Sequence, residues 1–329
     1  MILLWGLPGD GPLRAVRCAL ERQGLSTFFL DQHAILDTAL ELSTGAEVSG
    51  TLRVRSSQLD LRSITAAYLR PYDFRQLPTV QRAGSGSPAW QHALSIDDGM
   101  QAWAEVTPAL VVNRPSAMAS NGSKPYQAAL IRAAGLDIPE TLVTTDAEAV
   151  MEFWARHQSL IYKSTSGVRS IVSKLTAEHS DRLKDIASCP TQFQEYIKGT
   201  DYRVHVVGDE VFASEIVTTA DDYRYAGHDG TEVEIRACEL DSALCDRCRR
   251  LADSLSLPVA GIDLRRTSSG RWYCFEVNPS PGFTYYQQST GQPIGDSIAS
   301  LMASAARAAR SVPVTHLWPN PPGAGSWPG

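Results

Sequence analysis

The sequence predicts an α/β protein of more than one domain, on three observations. An apolar run, Ile2 to Trp5, leads into a loop with Gly6, Gly9 and Gly11, then an amphipathic stretch, then Phe28 to Leu30. That order of strand, glycine loop, helix and strand is a βαβ unit. Farther on, helical stretches alternate with runs that read as hairpins. Finally, 329 residues are too many for one compact core and suit roughly two domains.

Taken in order, residues 13–23 carry Val16, Ala19 and Leu20 at helical spacing and stop at Gly24. Residues 65–69 read as a strand ending in Arg70-Pro71, and 82–88 (RAGSGSP) as a loop. Residues 95–106 read as a helix, with Ser95 and Asp98 spaced as a capping box, and 110–112 as a strand. Residues 1–112 are therefore expected to form a small Rossmann-like α/β domain. A helix at 124–134, strands at 141–144 and 160–163 around a helix at 146–157, and a return strand at 170–175 open the next unit. Residues 191–197 read as a strand, 202–217 as a hairpin around Gly208-Asp209, and 218–230 as a long polar loop. A helix at 244–255, a hairpin at 261–278 turning at Ser268-Ser269-Gly270, and a small-residue helix at 297–310 complete the pattern. The segment 311–329, with five prolines and several glycines, is expected to be a flexible tail.

Composition excludes several functions. Thirty Lys and Arg against 36 Asp and Glu give a net charge of −6, with no basic cluster to grip a nucleic-acid backbone. No apolar stretch approaches the ~18 residues of a membrane span. The opening MILLWGLPGDG lacks a basic region and a cleavage site, so it reads as a buried strand rather than a signal peptide. Six scattered cysteines suit a reduced, cytoplasmic protein. The glycines at 6, 9 and 11 have the wrong order for a dinucleotide fingerprint. Cys238, Cys245 and Cys248 lack the second pair of ligands that a zinc site needs, and are read as packing thiols. Arg70 and Arg75 follow a strand where a cleft would open; they are surface arginines or holders of an anionic substrate.

The most informative stretch is GIDLRRTSSGRWYCFEVNPSPG, residues 261–282. Strand side chains alternate faces. Ile262 and Leu264, with Phe275 and Val277, take one side. Cys274, Glu276 and Asn278 take the other, joined by Asp263 and Arg265 if the turn has an even number of residues. Two carboxylates and an amide on one surface suit a hard cation such as Mg²⁺; a solvated polar face is the plain alternative. No G-x-x-x-x-G-K-[ST] loop exists, so phosphates would need separate lysines. Lys163 stands at a strand end before Ser164-Thr165-Ser166-Gly167. QEYIKGTDYRVHVVGDEV, residues 194–211, supplies a strand end whose backbone could read an adenine edge, and Asp201 for ribose hydroxyls; an ordinary strand and turn is again the alternative.

Together, Lys163 before a small-residue loop, QEYIKGTDYR…VVGDEV and GIDL…CFEVNPSPG resemble the ATP-grasp superfamily, most nearly its RimK-type and glutathione-synthetase-like carboxylate–amine ligases. The resemblance covers about residues 113–305. It implies two α+β subdomains holding ATP, at 113–195 and 196–310. Lys124 and Lys163 would bind the phosphates; Glu195, Tyr196 and Ile197 would form the adenine linker; Asp201 would bind ribose. Arg224 matches a phosphate or acyl-phosphate arginine, and Arg203 an arginine near the active site. Asp263, Glu276 and Asn278 match the ligands of two Mg²⁺ ions, with Mn²⁺ as a substitute. The loop after Lys163 departs from the family in having one glycine, Gly167, beside Arg169, and SNGSKPYQ around Lys124 departs as well. The implied activity joins a carboxylate to an amine through an acyl phosphate, releasing ADP and phosphate. Alternatives are a macrocyclase that makes ester or amide crosslinks in a ribosomal precursor peptide, with a hydroxyl or amine acceptor, and a non-catalytic nucleotide-binding regulator. A homo-oligomer is left open.

Overall fold

The computed structural model describes residues 1–45, 47–164, 172–218 and 233–311. Two compact units result: Met1–Pro115 together with the chain from Gly295, and Ser116–Ile294. The terminal helix thus clusters with the first unit. Among the described residues no helix is long and apolar enough to cross a membrane.

The first unit is built on a parallel sheet of β1 (Ile2–Gly6), β2 (Thr27–Asp31), β6 (Ala66–Arg70) and β7 (Leu110–Val112), in the order β2-β1-β6-β7. All five residues of β1 are buried, as expected of a strand covered on both faces. Between β1 and β2 runs α1 (Gly11–Arg22). Asp10 caps it by accepting from Leu13 N at 2.7 Å, and the same carboxylate oxygen takes Arg70 Nε at 2.7 Å. Arg70 is thereby tied to α1, whereas Arg75 lies exposed beside Asp73.

Two features of this unit differ from the sequence reading. After α2 (Pro78–Ala83), helix α3 spans Pro88–Val106 and starts well before Ser95. Ser87 is the true cap, accepting from Trp90 N at 3.1 Å, with Pro88 in the first turn. Ser95 sits inside the helix and returns its hydroxyl to Gln91 O. The second is a three-stranded antiparallel meander, β3 (Thr38–Thr44), β4 (Val48–Val54) and β5 (Ser57–Asp60). It buries Leu52 and Leu59 against the core that holds Trp5, Leu69 and Trp103.

Leading into the second unit, the short α4 (Pro115–Met118) is followed by α5 (Lys124–Ala133), whose Ile131 joins the core of a five-stranded sheet rather than that of the four strands that come next. Those strands are β8 (Thr141–Thr144), β9 (Leu160–Ser164), β10 (Ser173–Lys174) and β11 (Thr191–Glu195), paired antiparallel in the order β10-β9-β11-β8. Helix α6 (Ala147–His157), capped by Asp146, and 3₁₀ turns at Ala177–Ser188 cover this sheet, burying Val150, Phe153, Leu183 and Phe193. His157 lies at the core edge, its ring against Phe153 and its Nε2 3.1 Å from Glu140 Oε2.

A five-stranded antiparallel sheet follows: β12 (Thr200–Val207), β13 (Glu210–Thr218), β14 (Val233–Cys238), β15 (Val259–Arg266) and β16 (Trp272–Asn278), in the order β14-β13-β12-β15-β16. On one face its residues Val204, Val206, Ile262, Leu264 and Val277 pack against α5 and α7 (Ser242–Ser254) in a single core. After β16 come α8 (Thr284–Thr290) and α9 (Ile294–Ser311).

Gly50 shows how tightly the meander is set. Its φ is +155°, and a Cβ there would lie 2.0 Å from Glu41 O across the ladder. Gly50→Ala should cost at least about 1 kcal/mol. A melting temperature equal to wild type would show that β3 and β4 can spread apart freely.

Candidate active site

The opposite face of the five-stranded sheet gathers the polar residues. On β12 these are Asp201, Arg203 and His205; on β15, Gly261, Asp263 and Arg265; on β16, Glu276 and Asn278. The ladder register puts Arg203 opposite Asp263, Asp201 opposite Arg265, and Asp263 opposite Glu276, with Asn278 opposite Gly261. The three expected metal ligands therefore share one face, although the five residues between Arg266 and Trp272 would by plain alternation set Asp263 opposite Phe275.

A β-bulge between Asp263 and Leu264 brings Asp263 opposite Glu276. Leu264 faces Cys274 and Asp263 faces Glu276, so Phe275 is the extra residue. Cys274 joins the apolar core with Leu264 and Val277, contrary to its expected place on the polar side. Phe275 turns toward the site instead and stacks under Arg265, whose Cζ is 5.2 Å from the ring centroid.

Two arginines organise the face. Arg203, only 6% exposed, donates through Nη1 to Asp263 Oδ1 at 2.6 Å. Gly261 makes room for it: a Cβ there would lie 2.2 Å from Arg203 Nη2 and 2.8 Å from Pro281 Cβ. Arg265 forms a bidentate pair with Asp201, at 2.6 and 2.8 Å, and gives Nη1 to Ile197 O at 2.8 Å. Planar fork geometry suits this double role. Arg265 thereby ties the expected adenine linker to the expected ribose acid. In that linker, Glu195 N and Tyr196 N donate to Glu140 O and Ser159 O, at 2.9 and 3.0 Å.

Lys124 arrives from α5. Its Nζ is 2.8 Å from Glu276 Oε2. One turn on, Gln127 clamps the backbone of Val277 on both sides, donating to its O at 2.8 Å and accepting from its N at 3.2 Å. Asp137 continues along the same strand edge, bonding Trp272 O and Cys274 N. Between this edge and the four-stranded sheet lies a cavity of about 580 Å³, walled by Lys124, Lys163, Gln192, Gln194 and Phe275. Lys163 and Gln192 are ladder partners on β9 and β11. The two expected phosphate lysines thus meet at one cavity. Arg224, Gly167 and Arg169 lie outside the described residues.

Among the described residues, no three His, Cys, Asp or Glu side chains converge as a metal site. The set on this face is two carboxylates and one amide, all hard oxygen donors, and it fits Mg²⁺ chemistry. Asn278 is oriented by accepting from Ser280 N at 2.8 Å. Thiols play no comparable part: burial pushes Cys238 up to about 11 and Cys248 up to about 12.

Sequence reading missed Gln127, Arg265 and Phe275. Arg265 carried a signal, since it alternates with Asp263 on one strand face. Gln127 carried none, because its partner is remote in sequence.

His205 is fully buried, and neither ring nitrogen has a hydrogen-bond partner among the described residues. Burial, and then the charge of Arg203, hold its pKa well below 6.5. The unfolded chain takes up this proton near pH 6.5 and the folded chain does not. Stability is therefore complete above that pH and falls as acid is added. Below pH 6.5 the loss should approach about 1.4 kcal/mol per pH unit from this group. Urea midpoints across pH 5–7 should show that slope in wild type and a flatter one in His205→Leu; parallel profiles would place the acid sensitivity elsewhere.

The family described as the RimK-like ATP-grasp domain matches residues 122–302. Over 118 residues the chain is 36% identical to a probable alpha-L-glutamate ligase of Cellvibrio japonicus, covering 35% of this chain and 38% of that protein. Over 173 residues it is 30% identical to a D-alanine–D-alanine ligase of Chromohalobacter salexigens, covering 47% and 54%. The chain thus spans 38% and 54% of the lengths of these two curated relatives. A solved structure of the ATP-grasp ligase PsnB complexed with minimal precursor, Mg and ADP is 26% identical, with a TM-score of 0.75, over 93% of this chain and 98% of that one. With a family match over more than half of its length, the chain belongs to the RimK-like ATP-grasp family.

Proposed function

We propose that the chain is an ATP-dependent carboxylate–amine ligase that works through an acyl phosphate. The observation that carries this reading is the single sheet face holding Asp263, Glu276 and Asn278, with Arg203 on one carboxylate and Lys124 on the other. Lys124 and Lys163 hold the phosphates of ATP. The linker Glu195–Ile197 receives adenine, with the Ile197 N–H as a reading group. Asp201 accepts from ribose hydroxyls on lone pairs that Arg265 leaves over. Asp263, Glu276 and Asn278 hold Mg²⁺, as one ion or two, with Mn²⁺ as a substitute. Bound there, the cation would supply charge neutralisation to the phosphates of ATP.

In the first step a substrate carboxylate oxygen bonds to the γ-phosphorus as the bond to the bridging oxygen breaks, and ADP leaves. Arg203 and Lys163 stabilise the charge on the transferring group, and Arg224 is proposed to join them. In the second step an amine attacks the acyl carbon, loses a proton and expels phosphate. No protein nucleophile is needed, so positioning and electrostatics carry the rate.

A peptide substrate is the second reading. It is favoured by the coverage of PsnB, a ligase solved with a precursor, over 98% of its chain. On that reading the carboxylate belongs to a peptide side chain, and a hydroxyl or amine of the same peptide closes an ester or amide crosslink.

Incubation with Mg·ATP, an amine pool and carboxylates carrying ¹⁸O should move label into inorganic phosphate. Label in AMP would show adenylation and overturn the mechanism. Glu276→Ala should slow ADP release roughly a hundredfold or more, with a melting temperature close to wild type. Full turnover by this variant would remove the metal assignment.

A further inference from the structure

We propose that Tyr286 and His205 are positioning residues for Arg203, an aromatic pair that fixes its guanidinium against Asp263. The proposal rests on the ligase reading above, in which Arg203 meets the γ-phosphoryl group.

An arginine side chain has several rotatable bonds, and the ion pair through Nη1 constrains one corner of its head. The surroundings supply the rest. Gly261 and Pro281 wall one flank. Over the guanidinium stands the Tyr286 ring, its centroid 5.8 Å from Arg203 Cζ. Behind Tyr286 comes His205, with ring centroids 5.1 Å apart and planes at 61°. Both rings are buried, at 7% and 0% exposure. His205 follows Arg203 on the same face of β12 and lies opposite Gly261. Neither of its nitrogens bonds to a described residue, so its contribution is the surface of its ring.

Helix α8 holds Tyr286 in this place. Thr290 Oγ1 donates to Tyr286 O at 2.7 Å. Just beyond the helix, Gln292 donates to Ala213 O at 3.0 Å and accepts from Ser214 Oγ at 3.3 Å. Ile216 and Ile235 pack against the Tyr286 ring. Ser214 is the other ladder partner of Arg203, so the anchor of α8 and the arginine share one stretch of sheet.

An aromatic face attracts a cation without drawing on its N–H donors. It restrains the guanidinium without itself engaging those donors. A second carboxylate in that position, added to Asp263, would neutralise Arg203 further and weaken its pull on phosphate. The chain of contacts therefore runs from His205 to Tyr286 to Arg203 to Asp263.

The test is the affinity for two probes, Mg·AMPPNP and Mg·ADP, by calorimetry on the full chain. Only the first has a group at the γ position. Tyr286→Leu should weaken Mg·AMPPNP binding about tenfold and leave Mg·ADP within about twofold. Tyr286→Phe keeps the ring and should bind both like wild type. His205→Ala should repeat the selective loss in smaller measure, and it carries the test if Tyr286→Leu does not fold. Equal affinities in wild type and both variants, or equal loss of both nucleotides in each folded variant, would overturn the proposal. Failure of the wild-type chain to bind either nucleotide would instead remove the ligase reading and this proposal with it.

Discussion

Two reciprocal ion pairs across one ladder set the register on which the site depends. Arg203 on β12 faces Asp263 on β15, and Asp201 on β12 faces Arg265 on β15. A slip of two residues preserves the buried and exposed faces, so hydrophobic patterning alone does not forbid it. In one direction that slip would set Arg203 against Arg265; in the other it would set Asp201 against Asp263. Like charges directly opposite are unfavourable. The alternation of sign along both strands thus selects a single pairing. All four side chains are mostly shielded from water, so separating either pair would leave a poorly solvated charge behind.

From this fixed ladder the site extends to both cores of its unit. Lys124 rides on α5, whose apolar side belongs with the five-stranded sheet, while Lys163 ends a strand of the four-stranded sheet. The lysine nearest the carboxylates is therefore tied to their strand through the Gln127 clamp. The other approaches from a separate hydrophobic core. Positive charge thus comes to the cavity from elements packed on two different hydrophobic cores.

Much of this was legible in the residues. Alternation placed Glu276 and Asn278 on one side of their strand and added Asp263 only for an even turn; the turn between Arg266 and Trp272 is odd, and the bulge restores the match. Alternation failed at Phe275, where the bulge inserts one residue and reverses the sides of what precedes it. The start of α3 was obscured because Ser95 and Asp98 imitate a cap that Ser87 and Pro88 provide. The β3–β5 meander was illegible for a different reason: its strands bury few side chains, so no apolar rhythm marks them. Arg265 and Gln127 act on partners 64 to 150 residues distant in sequence, and local pattern carries no trace of such pairings.

The closed flank of β16 has a further consequence. This strand ends the five-stranded sheet, and an end strand normally presents a row of backbone groups ready to recruit another chain. Here Gln127 occupies the N–H and C=O of Val277, and Asp137 meets Cys274 N and Trp272 O. The segment that delivers Lys124 to the carboxylates is thus also a guard rail. It denies the strand of Glu276 and Asn278 to intruding strands, so that assembly of this face and protection from misassembly are the same event.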